Sequence, residues 1–143
     1  TFEENIFLNL LSHEISILLE LIGPPKKITI ISSKGVISNQ DILIVKVHFS
    51  KTCNGVILID RTSNNKEKTI SLISKNQFLL WNDYDLYKLN KKTQKFNKIF
   101  HSNKNSISNE IDEFINNMKM GQSDKHNLQI ATDTVKLVSK LVN

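Results

Sequence analysis

Cysteine, glycine, proline and arginine are all scarce in this 143-residue chain, and each scarcity closes off a class of function. Cys53 is the only cysteine, so no disulfide can form within the chain and no cysteine cage can hold a metal, and a reducing cytoplasm is the expected compartment. A hairpin position beside Lys51 leaves its thiol exposed, but a catalytic nucleophile needs a positioned base and none is apparent. The glycines at 23, 35, 55 and 121 are too scattered for a GxGxxG fingerprint or a P-loop, so the chain alone builds no nucleotide-cofactor site. Four histidines, His13, His48, His101 and His126, show neither HExxH nor facial-triad spacing, and no metal site is expected. Among nineteen basic residues only Arg61 is arginine. A net charge of +5 would suit an anionic partner, yet bidentate recognition of bases and phosphates favours arginine, which argues against nucleic acid. No membrane span is expected either, since the apolar run from Ile6 to Ile22 is broken by Asn9, Ser12, His13, Glu14, Ser16 and Glu20. No basic segment precedes that run, as a signal peptide would require. The chain opens on Thr1 inside what soon becomes a helix, and reads as an excised domain.

What is present is a single domain's worth of hydrophobic residues, 39% of the chain, arranged as helix, strands and helices. The first helix is expected from about Glu3 to Leu21, ended by Gly23-Pro24-Pro25 because proline cannot continue the hydrogen-bond ladder. Residues 27–33 and 41–50 are rich in β-branched side chains with a two-residue alternation, and read as strands. Asn54-Gly55 signals a hairpin turn into a strand over 56–60. A polar connector, 61–67, precedes four further short strands near 68–73, 77–81, 85–89 and 95–100, where Trp81, Tyr84 and Tyr87 read as sheet-face packing residues rather than a platform for bases. Ser106 or Ser108 is expected to cap a helix with Ile107, Ile111, Phe114, Ile115 and Met118 on its apolar face. A last helix, from Asp124 or Asn127 to Val142, would turn Leu128, Ala131, Val135, Val138 and Val142 toward a neighbour. The class is therefore α+β, with an open, mainly antiparallel meandering sheet and helices packed on one face.

Chemistry concentrates on the first helix. Asn9, His13, Ser16 and Glu20 follow one another at i, i+4, i+7 and i+11, one narrow polar stripe on an otherwise apolar helix. A helix so apolar is expected inside the domain, where a polar row persists if it is hydrogen-bonded or borders a cleft. His13 is the candidate proton-transfer residue, because imidazole is the side chain that titrates near neutrality. Asn9 is placed to orient the ring or bind a substrate hydroxyl, and Ser16 extends the row; Glu20 reads as a solvent-edge residue. The plainer alternative is a hydrogen-bonded core histidine.

Asn9-Leu-Leu-Ser-His13-Glu-Ile-Ser16-Ile-Leu-Leu-Glu-Leu-Ile-Gly23-Pro24 resembles the D-x-G-x-H-x-x-D-x-x-x-x-L-x-G-x-P segment that opens the C-terminal part of the Gfo/Idh/MocA oxidoreductases. Glu110-Ile-Asp-Glu-Phe114-Ile115-Asn-Asn-Met-Lys-Met-Gly121 is similar to the family's closing E-x-x-x-F-I-x-x-I-x-x-G element. The resemblance implies that residues 1–143 form one substrate and oligomerisation domain, a fold like the C-terminal domains of dihydrodipicolinate reductase and glyceraldehyde-3-phosphate dehydrogenase. Such a domain follows a Rossmann domain, absent from this chain, that binds NAD or NADP. It further implies a sugar, polyol or sugar-derived substrate, His13 and Asn9 as catalytic residues, Ser16 as a substrate contact, and homo-oligomerisation through the sheet. In relatives a lysine of an E-K-P motif in the Rossmann domain shares the proton transfer. Here the family's acids stand replaced by Asn9 and Ser16 and its glycine by Leu11. A carboxylate beside an imidazole raises its basicity, so these replacements leave two readings, an enzyme with an unusual substrate or a catalytically degenerate dimerisation and scaffold module.

Overall fold

A computed structural model describes residues 5–64, 67–82, 84–103, 106–121 and 124–142, the side chains of 106–108 and 110 excepted. The chain is α+β, with seven strands in two antiparallel sheets, and divides into two compact units, residues 1–64 with 124–143 and residues 65–123. The single meander expected from the sequence is thus two sheets. The polar connector 61–68 separates β3 from β4, and each sheet closes its own hydrogen-bond ladder.

In the first unit, the chain enters through a π-helical turn, Phe7–Leu11, that runs directly into α1, Ser12–Ile22. Asn5 begins it, its side-chain oxygen accepting the Phe7 N–H at 2.9 Å. The Ser12 hydroxyl turns back onto this stretch, donating to the Leu8 carbonyl at 2.6 Å with the Asn9 carbonyl at 3.2 Å as the longer branch. Gly23, at φ 96°, ends α1 in a backbone conformation that a side chain would strain, and donates its N–H to the Leu19 carbonyl at 2.9 Å.

Strands β1 (Lys27–Lys34), β2 (Ile42–Ser50) and β3 (Cys53–Asp60) form a three-stranded sheet in sequence order. Alternation sends Leu43, Val45, Val47 and Phe49 of β2 and Ile57 and Ile59 of β3 inward, against Ile6, Phe7, Leu11, Ile15 and Leu19 and against Val138 of α3, Lys125–Val142. Leu11, Leu43, Val45 and Val47 are wholly buried, each contributing about 1.5–3 kcal/mol. The turn between β2 and β3 is Lys51-Thr52; Asn54-Gly55 lies within β3, opposite His48 and Val47. The His48 ring Nδ1 and the Asn54 Oδ1, 2.7 Å apart, join the two strands there. Cys53 is half-buried against the core, not an exposed turn thiol.

Helix α3 starts at an Asp124 cap, whose Oδ1 accepts the Asn127 N–H at 2.9 Å. Its core side is Ile130, Thr134, Leu137, Val138 and Leu141, whereas Leu128, Val135 and Val142, expected to face a neighbour, are exposed. Of the face expected from periodicity, Val138 is in the core and Ala131 is exposed with the other three; α3 packs mainly on α1 and on β1 through a stripe centred on Thr134 and Val138.

The second unit holds β4 (Thr69–Ile73), β5 (Phe78–Asn82), β6 (Asp85–Asn90), β7 (Lys95–His101) and α2 (Ser106–Met120). The register places Ile70, Trp81, Leu86 and Phe100 in one row on one face, with Leu72 and Leu79 beside them. The opposite face carries Phe78 edge-on to Phe96, ring centroids 5.2 Å apart, and the side chains of Asp85, Tyr87 and Lys98. Tyr84 stands in the turn before β6, exposed, rather than on a sheet face. The Ser106 and Ser108 caps and Ile107 lie outside the described side chains.

Candidate functional site

One side of α1 is fixed by burial, Ile15 and Leu19 in the core, and this sets where the polar stripe falls. It falls in solvent: Asn9, His13 and Glu20 are exposed and Ser16 is half-buried. The helix is therefore not interior as its composition suggests. Leu8 and Leu21 are more than half exposed as well, so α1 covers the sheet with one face only. Asn9 lies inside the π turn and His13 one turn later, on the first turn of α1. The Ser16 hydroxyl donates to the His13 carbonyl at 2.8 Å, a bond back to the helix rather than to the ring. Glu20 receives His126 from α3, Nε2 to Oε2 at 2.8 Å, which ties the C-terminal end of α1 to the first turn of α3 and takes Glu20 out of the stripe's chemistry. What remains is an accessible row of amide, imidazole and hydroxyl groups, able to donate and accept hydrogen bonds toward a ligand approaching from solvent.

Sequence reasoning missed two polar centres. Asp41, buried between β1 and β2, accepts the backbone N–H groups of Val36, Ile37 and Ser38 at 2.5–2.7 Å and the Ser38 hydroxyl at 2.6 Å. The Ser38 hydroxyl and these amides hold its carboxyl well below the usual carboxylate range. The centre is structural: each of these donors belongs to its own loop. The only advance signal was Ser38 three residues before an aspartate in a connector between strands.

Asp85 is the second. Its Oδ1 takes Lys98 Nζ at 2.9 Å and His101 Nδ1 at 2.7 Å, and its Oδ2 accepts the Tyr87 hydroxyl at 3.0 Å. Lys98, then His101, lower its pKa from 3.8 to about 2, and Asp85 in turn raises that of Lys98, whose ammonium lies 5.7 Å from the centre of the Tyr87 ring. These groups satisfy one another across the β6–β7 pair.

Among the described residues, no group of three or more His, Cys, Asp or Glu side chains is placed to hold a metal, and no helix is long and apolar enough to cross a membrane. Gly23 and Gly121 close helices, Gly55 sits within β3 and Gly35 in the loop after β1, so none opens a helix behind a strand as a dinucleotide cradle requires. Among the described residues, no glycine-rich turn of the kind that cradles NAD or NADP is formed. No family model, curated protein or solved structure matches the chain.

Proposed function

We propose that this chain is the substrate-binding and oligomerisation domain of an NAD(P)-dependent oxidoreductase acting on a sugar, polyol or sugar derivative, similar to the Gfo/Idh/MocA enzymes. The observation that carries the reading is the solvent-side row of exposed Asn9 and His13 and half-buried Ser16, on a helix whose other side is locked into a core. In this reading His13 moves the proton of a substrate hydroxyl or carbonyl oxygen, Asn9 orients that oxygen or the ring, and Ser16 borders the substrate. The nicotinamide cofactor, which supplies the hydride chemistry, belongs to a Rossmann domain outside residues 1–143. The test is twofold. An in-frame segment upstream should encode GxGxxG and a later E-K-P, and lack of any Rossmann-coding segment would sink the proposal. In the full-length protein, His13→Ala should lower kcat by about 10²–10⁴-fold on its substrate; unchanged turnover would remove His13 from the mechanism.

A second reading, a non-enzymatic dimerisation or scaffold module, draws on the outer face of the first sheet. Val56 and Leu58 are 68% and 66% exposed there, and Ile42 and Ile44 lie beside them. A patch of that kind is a place for a second copy of the chain in either reading. Robust NAD(P)-dependent turnover by the full-length protein would leave it as the oligomer contact of an enzyme and end the scaffold reading.

A further inference from the structure

Among the described residues, the second unit presents two apolar surfaces without a partner. Helix α2 carries Ile111, Phe114, Ile115 and Met118 at i, i+3, i+4 and i+7, one stripe, with every member 42–67% exposed. The four-stranded sheet presents the row Ile70, Trp81, Leu86 and Phe100, flanked by Leu72 and Leu79, with Phe100 59% and Leu72 37% exposed. We infer that these two surfaces are complementary halves of a reciprocal contact: α2 of one copy lies on the sheet face of a second copy, and the second copy's α2 lies on the sheet face of the first.

Dimensions support the match. The helix stripe spans seven residues, about 10 Å at 1.5 Å per residue. The sheet row crosses four strands, about 14 Å at some 4.8 Å per strand, so the row accommodates the stripe. Charge agrees as well. Asp112 borders the stripe on the side of Ile111 and Ile115, while Lys88 stands on the same sheet face, paired with Leu79. Area decides for a second copy over an unrelated partner. Taking about 200 Å² for a fully exposed large side chain, the two surfaces together offer about 800 Å². One such contact is no larger than adventitious packing, whereas two related by a two-fold axis reach about 1,600 Å², the size of a standard stable interface. The inference rests on these exposed faces alone and holds for an enzyme or a scaffold.

Trp81, the only tryptophan, sits in the sheet row and reports on its cover. Sedimentation equilibrium of the chain should show a monomer–dimer equilibrium, and Trp81 emission should shift to the blue as the dimer forms. Phe114→Glu and Met118→Glu, at positions 65% and 67% exposed, should each weaken dimerisation about thirtyfold or more and abolish the shift. Val56→Glu and Leu58→Glu on the first sheet should leave the Trp81 shift intact, which separates this contact from association through that sheet. As a second measurement, two chains are mixed in a Cys53→Ser background, one with Phe100→Cys and the other with Phe114→Cys, and treated with a short bismaleimide. Covalent dimers should form between them. A chain that stays monomeric, a dimer indifferent to Phe114→Glu, or crosslinking only when both thiols are in one chain would each overturn the inference.

Discussion

Thr134 offers a sharp test of how the first unit is packed. Its residue is 5% exposed, between the core contacts Ile130 and Val138 of α3, and among the described residues its hydroxyl has no hydrogen-bond partner. A buried hydroxyl that forgoes water without replacement costs about 1–3 kcal/mol. Thr134→Val keeps the branched shape and swaps that hydroxyl for a methyl group, so the unfavourable desolvation disappears and apolar burial is added. The substitution should therefore stabilise the fold by about 1–2 kcal/mol, raising Tm by roughly 3–8 °C. Thr134→Ser is the matched control: it keeps the orphan hydroxyl, loses a buried methyl, and should destabilise by about 1 kcal/mol. Urea unfolding followed by far-UV circular dichroism gives the midpoint and slope, and an unchanged slope assigns the effect to stability. Amide exchange at Leu43, Val45 and Val47 localises it to the first sheet, a necessary step because Trp81 lies in the other one. If Thr134→Val were destabilising by 1 kcal/mol or more, the hydroxyl would have a partner in solution and the argument from an orphan group would be wrong.

Other substitutions probe the remaining features. Leu43→Ala, at a wholly buried position on the central strand, should cost about 2–5 kcal/mol by urea unfolding, and a cost below 1 would mean the sheet is not packed as described. Gly35→Ala should destabilise by about 1–3 kcal/mol, because a Cβ there would fall onto the Ser38 carbonyl oxygen and within 2.9 Å of the Asn39 carbonyl group; wild-type Tm in that variant would show that the loop relaxes freely. Asp85 binds its proton more weakly when folded than its ordinary value of 3.8, so the stability it adds is present above about pH 4 and is lost as pH falls toward 2. Following the Asp85 side-chain carboxyl carbon by NMR should show that depressed titration, and Lys98→Met should move it back upward.

Much of the secondary structure was legible because strands here are written in β-branched alternation that local chemistry alone enforces. Val45, Val47 and Phe49 had to share a face, and they do. Pairing across the polar connector was not legible, since nothing local states whether β4 continues the sheet of β3 or starts another. The turn at 51–52 was obscured by a stronger motif, Asn54-Gly55, which the contact between His48 and Asn54 holds in the strand instead. Ser12 was the sole trace of the π turn, and a serine in a helix has many other uses. As for the stripe, its spacing was readable and its exposure was not: composition counts leucines, whereas burial depends on which of them the sheet reaches. Leu11 and Leu19 are inside, Leu8 and Leu21 outside.

The loop that Asp41 organises has a bearing on how long this chain survives among proteases. Val36 and Ile37 are 67% and 84% exposed, an apolar pair at a surface bend and by composition an attractive cleavage site. A protease, however, must draw several residues into an extended conformation, and here the amides of 36, 37 and 38 are all held by one carboxylate. The same residue also donates its own N–H to Lys34 and accepts the Arg61 N–H, each at 2.8–2.9 Å, so opening the loop would disturb the ends of all three strands. Susceptibility to cutting there is thus governed by the opening equilibrium rather than by access, and resistance should fail where Asp41 is neutralised.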